Sequence, residues 1–336
     1  MSAIAHQLRF RLKRVLHSTS ARVAGGLAIS AILLLLALRP IDTAELPRVM
    51  ASVSFKWIGI ALAFYSMELL LRAQRWSIIL RPILRLPFLH VATTLLVGYA
   101  ANNVLPAKLG ELFRADFVAR RYRISRFSAV GTIVIERLLD MTAVVACAAL
   151  GMLLMLQDRL TFVSFLASAT LFGGLLVALT CLAVFSMLSY SGRWFSGRFA
   201  RVHDVIQAVA AGLHSFKSPQ QILALTGLTA LVWICSGAAM WAVLKAVGIS
   251  AQGSIVLLLI GIAGLAAAVP SAPANLGTLQ FAFITVLAAG HYDATAAFAA
   301  ALLVQVFLLG SVTLAGAVFY AAWYLRRGTH SRDAPT

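Results

Sequence analysis

Long apolar runs alternate along the chain with short polar segments that hold most of its charge. Runs at 23–38, 57–73, 138–156, 162–188, 222–244 and 294–325 approach or exceed the roughly 20 residues a helix needs to cross a hydrocarbon core. The pattern predicts an all-α polytopic membrane protein with about six full transmembrane helices. Two further apolar stretches do not fit that count. The first, 90–105, is interrupted by Gly98, Asn102 and Asn103 and stopped by Pro106. The second, 254–289, is broken by Pro270, Pro273, Asn275 and Gly277.

The breaks share a motif. Pro106 to Leu112 reads P-A-K-L-G-E-L and Pro273 to Leu279 reads P-A-N-L-G-T-L, about half a chain apart. Both are P-A-x-L-G-x-L inside apolar surroundings, as expected of an internal repeat.

Composition fixes the class. The chain is 61% hydrophobic and 12% charged, against about 25% charged in a soluble domain. A mean hydropathy of +0.91 leaves too little polar surface to cover a soluble globule. The net charge of +17 sits in the loops. There it marks cytoplasmic segments facing anionic lipid, and nucleic acid is not an expected partner.

Charge placement then sets the topology. Residues 1–22 carry Arg9, Arg11, Lys13, Arg14 and Arg22 and are expected in the cytoplasm. The run at 23–38 ends at Arg39-Pro40 without a small-residue cleavage site, so it reads as an uncleaved first span. After the first broken run come Lys108, Arg114, Arg120, Arg121, Arg123 and Arg126, the densest basic stretch. A full crossing at 90–105 would put that stretch outside, against the positive-inside rule. A re-entrant hairpin entering from the cytoplasm and returning avoids this. The alternative is eight ordinary helices, two of them kinked by proline.

Non-helical backbone at membrane depth survives only where it is buried in protein or lines a cavity. The second break reads as a hairpin entering from outside. Each half, about 23–156 and 162–325, then holds two spans, a hairpin and a third span. Three crossings is odd, so the halves are inverted, as in many transporters. Residues 326–336, with Arg326, Arg327, His330 and Arg332, form a cytoplasmic tail, so both termini face the cytoplasm of a cell (inner) membrane.

Ionisable residues inside apolar runs are the candidate chemistry. Glu68 and Arg72 are four apart on one helix face and are expected to pair or snorkel near a helix end. Residues 75–88 read as a short interfacial segment broken by Pro82 and Pro87, and 202–213 as an amphipathic surface helix. Residues 127–156 are too long for one span, and their first part holds Glu136, Arg137 and Asp140.

A headgroup path assembles from these residues. Asn102, Asn103, Asn275 and Gln280 supply polar lining. Lys108, Arg114 and Arg137 attract phosphate. Glu111, Glu136 and Asp140 hold those cations or meet a cationic headgroup. Pro106, Gly110, Pro270, Pro273 and Gly277 form the breaks. In the structural alternative, Glu111–Arg114 and Arg137–Asp140 only tie hairpin to helix. Cys147, Cys181 and Cys235 lie in apolar runs with no pairing or metal-ligand spacing, and no cofactor or metal is expected.

Three segments carry a resemblance: N-N-V-L-P-A-K-L-G-E-L-F-R-A at 102–115, I-E-R-L-L-D at 135–140, and V-P-S-A-P-A-N-L-G-T-L-Q-F-A-F at 269–283. Together they resemble the transmembrane region of lysylphosphatidylglycerol synthases, which also occurs alone in flippase-like membrane proteins. The resemblance covers about 24–325. It implies binding and translocation of a lipid, with an anionic or polyprenyl-type amphiphile as partner. Relatives near hopanoid and glycan-lipid biosynthesis leave the lipid open. Only about a dozen polar residues follow Leu325, so the soluble aminoacyl-transferase activity of the synthases is not implied. The runner-up is a membrane-embedded accessory or transferase component of lipid or glycolipid biosynthesis, with Glu111 or Asp140 as base. Many relatives carry an acidic residue near Thr278 or Gln280, and this chain has none there.

Overall fold

Prolines and helix-capping residues set many of the element boundaries. The computed structural model describes residues 24–105, 109–155, 218–268 and 271–330. They form helices α1 (Ala24–Leu38), α2 (Leu46–Ala51), α3 (Phe55–Leu80) and α4 (Phe88–Val104). Next come α5 (Leu109–Tyr122), α6 (Arg126–Met155), α7 (Pro219–Ala246) and α8 (Gly253–Ala268). The last are α9 (Thr278–Ala289), α10 (Ala294–Leu303) and α11 (Gly310–His330). A π-helical turn, Val304–Leu309, joins α10 to α11. No strand occurs among the described residues.

The caps follow local chemistry. Leu105 is extended (φ −83°, ψ 134°) and ends α4, because the residue before a proline is pushed out of the helical region. Ser218 caps α7 by accepting from Gln221 N–H, with Pro219 in the first turn. Asp293 caps α10 through Ala296 N–H at 2.7 Å.

The second break is tighter. Ala274, Asn275 and Gly277 all have positive φ, 53°, 55° and 84°, a conformation that costs a non-glycine residue about 1 kcal/mol or more. The surroundings hold it there. Ser30 Oγ of α1 accepts from Ala272 N–H at 2.7 Å. Gln305 of the π turn donates to Ala274 O at 3.1 Å. A side chain at Gly277 would run into the Ser30 carbonyl.

Among the described residues three helices are long and apolar enough to cross a membrane: α6, α7, and the continuous α10–α11 rod to Leu325. Helix α3 is nearly as long but carries Glu68, Arg72 and Arg75. Large apolar side chains such as Leu35, Phe55, Leu89, Leu223 and Leu314 point outward, as on a lipid-facing surface. The protein is an all-helical, multi-pass membrane protein.

Packing pairs the elements reciprocally. Helix α3 lies along α7, α6 along α8, and α11 along α4. Helices α4 and α5 form one packed hairpin, and α8 and α9 form another. Helix α5 also meets α6, as α9 meets α10.

Helix α4 runs unbroken through Gly98, Asn102 and Asn103 to Val104, where the sequence pattern predicts interruptions. Two element boundaries also differ from the sequence expectation. Arg75 belongs to α3 and not to an interfacial segment, and the helix continues to Leu80 just before Pro82. Residues 126–155 form one unbroken helix. Both differences have one cause: the charges that suggested a boundary are neutralised by residues distant in sequence. The expected span at 162–188 and the amphipathic stretch at 202–213 lie outside the described residues.

Candidate functional site

Residues four and seven apart on a helix share a face. Glu68, Arg72 and Arg75 therefore form one stripe on α3, which packs against α6 and α7. Glu136, Arg137 and Asp140 cluster on α6, and Glu111 and Arg114 on the first turns of α5.

These eight residues form one ionic network. Arg75 is wholly buried. Its Nη2 lies 2.7 Å from Asp140 Oδ1, and its Nη1 donates to Thr229 Oγ1 of α7 at 3.1 Å. Arg72 Nε donates to Glu68 Oε1 at 2.8 Å, and its Nη1 to Asp140 Oδ2 at 3.1 Å. The Arg72 guanidinium stands 5.4 Å from the Trp233 ring centre. Arg114 Nη2 donates to Glu136 Oε2 at 2.6 Å, and its guanidinium stacks 4.6 Å from the Trp76 ring centre. Arg137 Nε sits 2.8 Å from Glu111 Oε1, with Asp140 at 3.6 Å and Glu136 at 3.9 Å. Tyr99 O–H donates to Glu136 Oε1 at 3.4 Å.

An isolated charge buried this deeply costs several kcal/mol, and pairing with good hydrogen bonds offsets that cost. The described network is balanced. Arg72, Arg75, Arg114 and Arg137 face Glu68, Glu111, Glu136 and Asp140.

Beside the network lies a cavity of about 360 Å³. Glu68, Arg72, Glu111, Arg137 and Asp140 supply its charged lining, and Tyr65, Tyr99, Asn102, Asn103, Trp233 and Asn275 much of its polar lining. Apolar side chains including Met141, Val144, Ile260 and Leu309 complete it. Both broken segments reach the cavity, Asn102, Asn103 and Leu109 from the first and Ser271, Ala272 and Asn275 from the second.

Of the residues the sequence reading proposed for a headgroup path, Asn102, Asn103, Glu111, Arg137, Asp140 and Asn275 line this cavity. Arg114 and Glu136 do not line it, and their pair lies buried behind it. The pairing also differs from the expected Glu111–Arg114. Arg114 takes Glu136 from α6 and Glu111 takes Arg137, so two ion pairs fasten α5 to α6. The Glu68–Arg72 pair forms as expected, but buried beside the cavity.

Gly110 serves packing. A Cβ there would overlap the Asn102 backbone, so the glycine lets α5 close onto α4. Pro273 and Gly277 belong to the second break and do not line the cavity. Gln280 is buried, accepts from Gly277 N–H at 2.8 Å, and donates to Gln305 Oε1 at 2.6 Å. It shapes the second break and does not face the cavity. Pro106, Lys108 and Pro270 lie outside the described residues.

Sequence reasoning missed Arg75, Tyr99, Trp233 and Gln305. Arg75 carried a signal, since it completes the stripe of Glu68 and Arg72 at helical spacing. Gln305, a lone amide in an apolar run, carried another. Asn103 and Gln305 share a task. Asn103 Nδ2 donates to Leu309 O at 3.2 Å and to Thr313 Oγ1 at 2.9 Å. The π turn is therefore held by the first broken segment at one end and by the second at the other. Among the described residues no cluster of His, Cys, Asp and Glu is placed to hold a metal ion.

A family model described as the lysylphosphatidylglycerol synthase transmembrane region matches residues 23–316. The chain belongs to this family. The match spans both hairpins and every ionic residue of the site. A protein of Methanocaldococcus jannaschii, named as a UPF0104 membrane protein, is 23% identical over 228 residues. That alignment covers 65% of this chain and 92% of the archaeal protein. Family membership ties the chain to lipid-related processes in a membrane.

Proposed function

We propose that the protein binds a lipid or lipid-linked amphiphile and translocates it across the bilayer. The observation that carries this reading is the charged cavity reached by both broken helical segments, within a body that exposes many large apolar side chains. An amphiphile crossing a bilayer needs a polar path for its headgroup while its tails stay in lipid. Ionisable side chains at membrane depth are costly and mark such paths.

The reciprocal packing supports two inverted halves. Exchanging α3 with α7, α4–α5 with α8–α9, and α6 with α10–α11 maps each principal contact onto another. In that arrangement the two hairpins are re-entrant, enter from opposite faces and meet at the cavity, the geometry of alternating access around a fixed site. Both termini face the cytoplasm by the charge rule.

The transferase alternative needs a carboxylate free to act as base. Glu111 and Asp140 are each held by guanidinium groups, which favours binding and passage over chemistry.

The test is reconstitution into liposomes with lipids fluorescently labelled on the acyl chain, read by quenching from outside. The wild-type protein is expected to move lipid between leaflets. Arg137→Ala, which removes the most solvent-accessible of the cavity's guanidiniums, is expected to slow that movement by about tenfold or more. Folded wild-type protein that moves no lipid of any headgroup would end this reading.

A further inference from the structure

The cavity's charges constrain its cargo beyond "a lipid". The sequence expectation of an anionic amphiphile rested on Lys108, Arg114 and Arg137. Of these, Arg114 is neutralised by Glu136 and Arg137 by Glu111. Among the described residues the network holds equal numbers of guanidiniums and carboxylates, so a headgroup of either net charge would leave one charge uncompensated in a low-dielectric site.

One pair differs from the rest. Arg137 and Glu111 are 25% and 12% exposed at their side chains, against 11% and 7% for Arg72–Glu68, which also lines the cavity, and at most 2% for Arg114–Glu136 and Arg75–Asp140. Arg137–Glu111 also joins the first hairpin to α6, and both partners line the cavity. It is the cavity pair most open to a ligand. Nearby polar groups point to a ligand with both donors and acceptors. Trp233 Nε1, a donor, and Asn102 Oδ1, an acceptor, are buried atoms without a hydrogen-bond partner among the described residues. Both residues line the same cavity.

We propose that the site takes a zwitterionic, net-neutral headgroup, inserted into the Arg137–Glu111 pair with its phosphate on Arg137 and its ammonium on Glu111. Each charge exchanges one opposite partner for another, so the cluster stays neutral throughout. Asn102 Oδ1 accepts from the ammonium, and Trp233 N–H donates to a phosphate or ester oxygen. No covalent step is involved. This deepens the translocation reading and rests on it for movement, though not for binding.

The experiment compares acyl-labelled phosphatidylethanolamine (neutral), phosphatidylglycerol (anionic) and a trimethylammonium lipid (cationic) in otherwise identical proteoliposomes. Short-chain forms of the same lipids are added to detergent-solubilised protein and binding is read as a thermal shift. The wild-type protein is expected to move the neutral lipid about tenfold or more faster than either charged one. Glu111→Gln, which leaves Arg137 uncompensated, is expected to shift preference toward the anionic lipid. Arg137→Gln is expected to shift it toward the cationic one. A merely structural pair would lower all three rates together.

Wild-type protein that moves or binds the anionic lipid as well as the neutral one overturns the headgroup class and leaves translocation standing. Selective thermal stabilisation by the neutral lipid, with no movement of any lipid, upholds the class and removes translocation.

Discussion

At the scale of single residues, Asp140 is the centre of the ionic network, with guanidinium nitrogens of Arg72, Arg75 and Arg137 between 2.7 and 3.6 Å away. Arg72 and Arg137 keep other carboxylates, whereas Asp140 is the carboxylate that Arg75 meets. Asp140→Asn therefore strands a wholly buried guanidinium. It is expected to destabilise the protein by about 3–5 kcal/mol, read as a large fall in melting temperature in detergent. Arg120 offers the contrast. It pairs with Asp116 at 2.6 Å but is 61% exposed, and Arg120→Ala should stay within about 1 kcal/mol of wild type in the same assay. Equal effects from the two substitutions would mean that burial does not set the worth of these pairs.

At the scale of elements, the α4–α5 hairpin closes because position 110 lacks a side chain. Alanine would favour the isolated helix by about 1 kcal/mol over glycine, but its Cβ would occupy the place of the Asn102 backbone. Gly110→Ala should consequently push α5 off α4 and break the Arg137–Glu111 contact. Lipid movement is expected to fall steeply while the protein still inserts and purifies, a combination that assay and yield together report.

Much of this level was readable in the chain. Pro106 and Pro273 marked both breaks, and most apolar runs among the described residues became helices. The extent of α3 was not readable, because Arg75 is solvated by Asp140, 65 residues away. A charge whose partner lies on another helix looks, in sequence, like a loop. The π turn at Val304–Leu309 was equally hidden, since its extra residue is stabilised by Asn103 and Gln305 reaching across from and to the two breaks.

At the scale of the whole molecule, the proposed inverted halves would place loops on predictable sides. The α5–α6 corner at Arg123 and the α7–α8 corner at Ser250 are both exposed. In a background without native cysteines, Arg123→Cys should react with an impermeant reagent only from the cytoplasmic side, and Ser250→Cys only from the opposite side. Labelling of both from one side would refute the inversion. The balance of four guanidiniums and four carboxylates has one more consequence at this scale. Moving a unit charge through a membrane potential changes its energy by about 2.3 kcal/mol per 100 mV, and a neutral cluster carrying a neutral headgroup moves none. Transport of the proposed kind would then be electrically silent. A potassium-diffusion potential of either sign imposed on the proteoliposomes should leave the rate for the zwitterionic lipid unchanged, so the cell's energised membrane would neither drive nor oppose the cycle, and the direction of net flow would follow the lipid's own gradient.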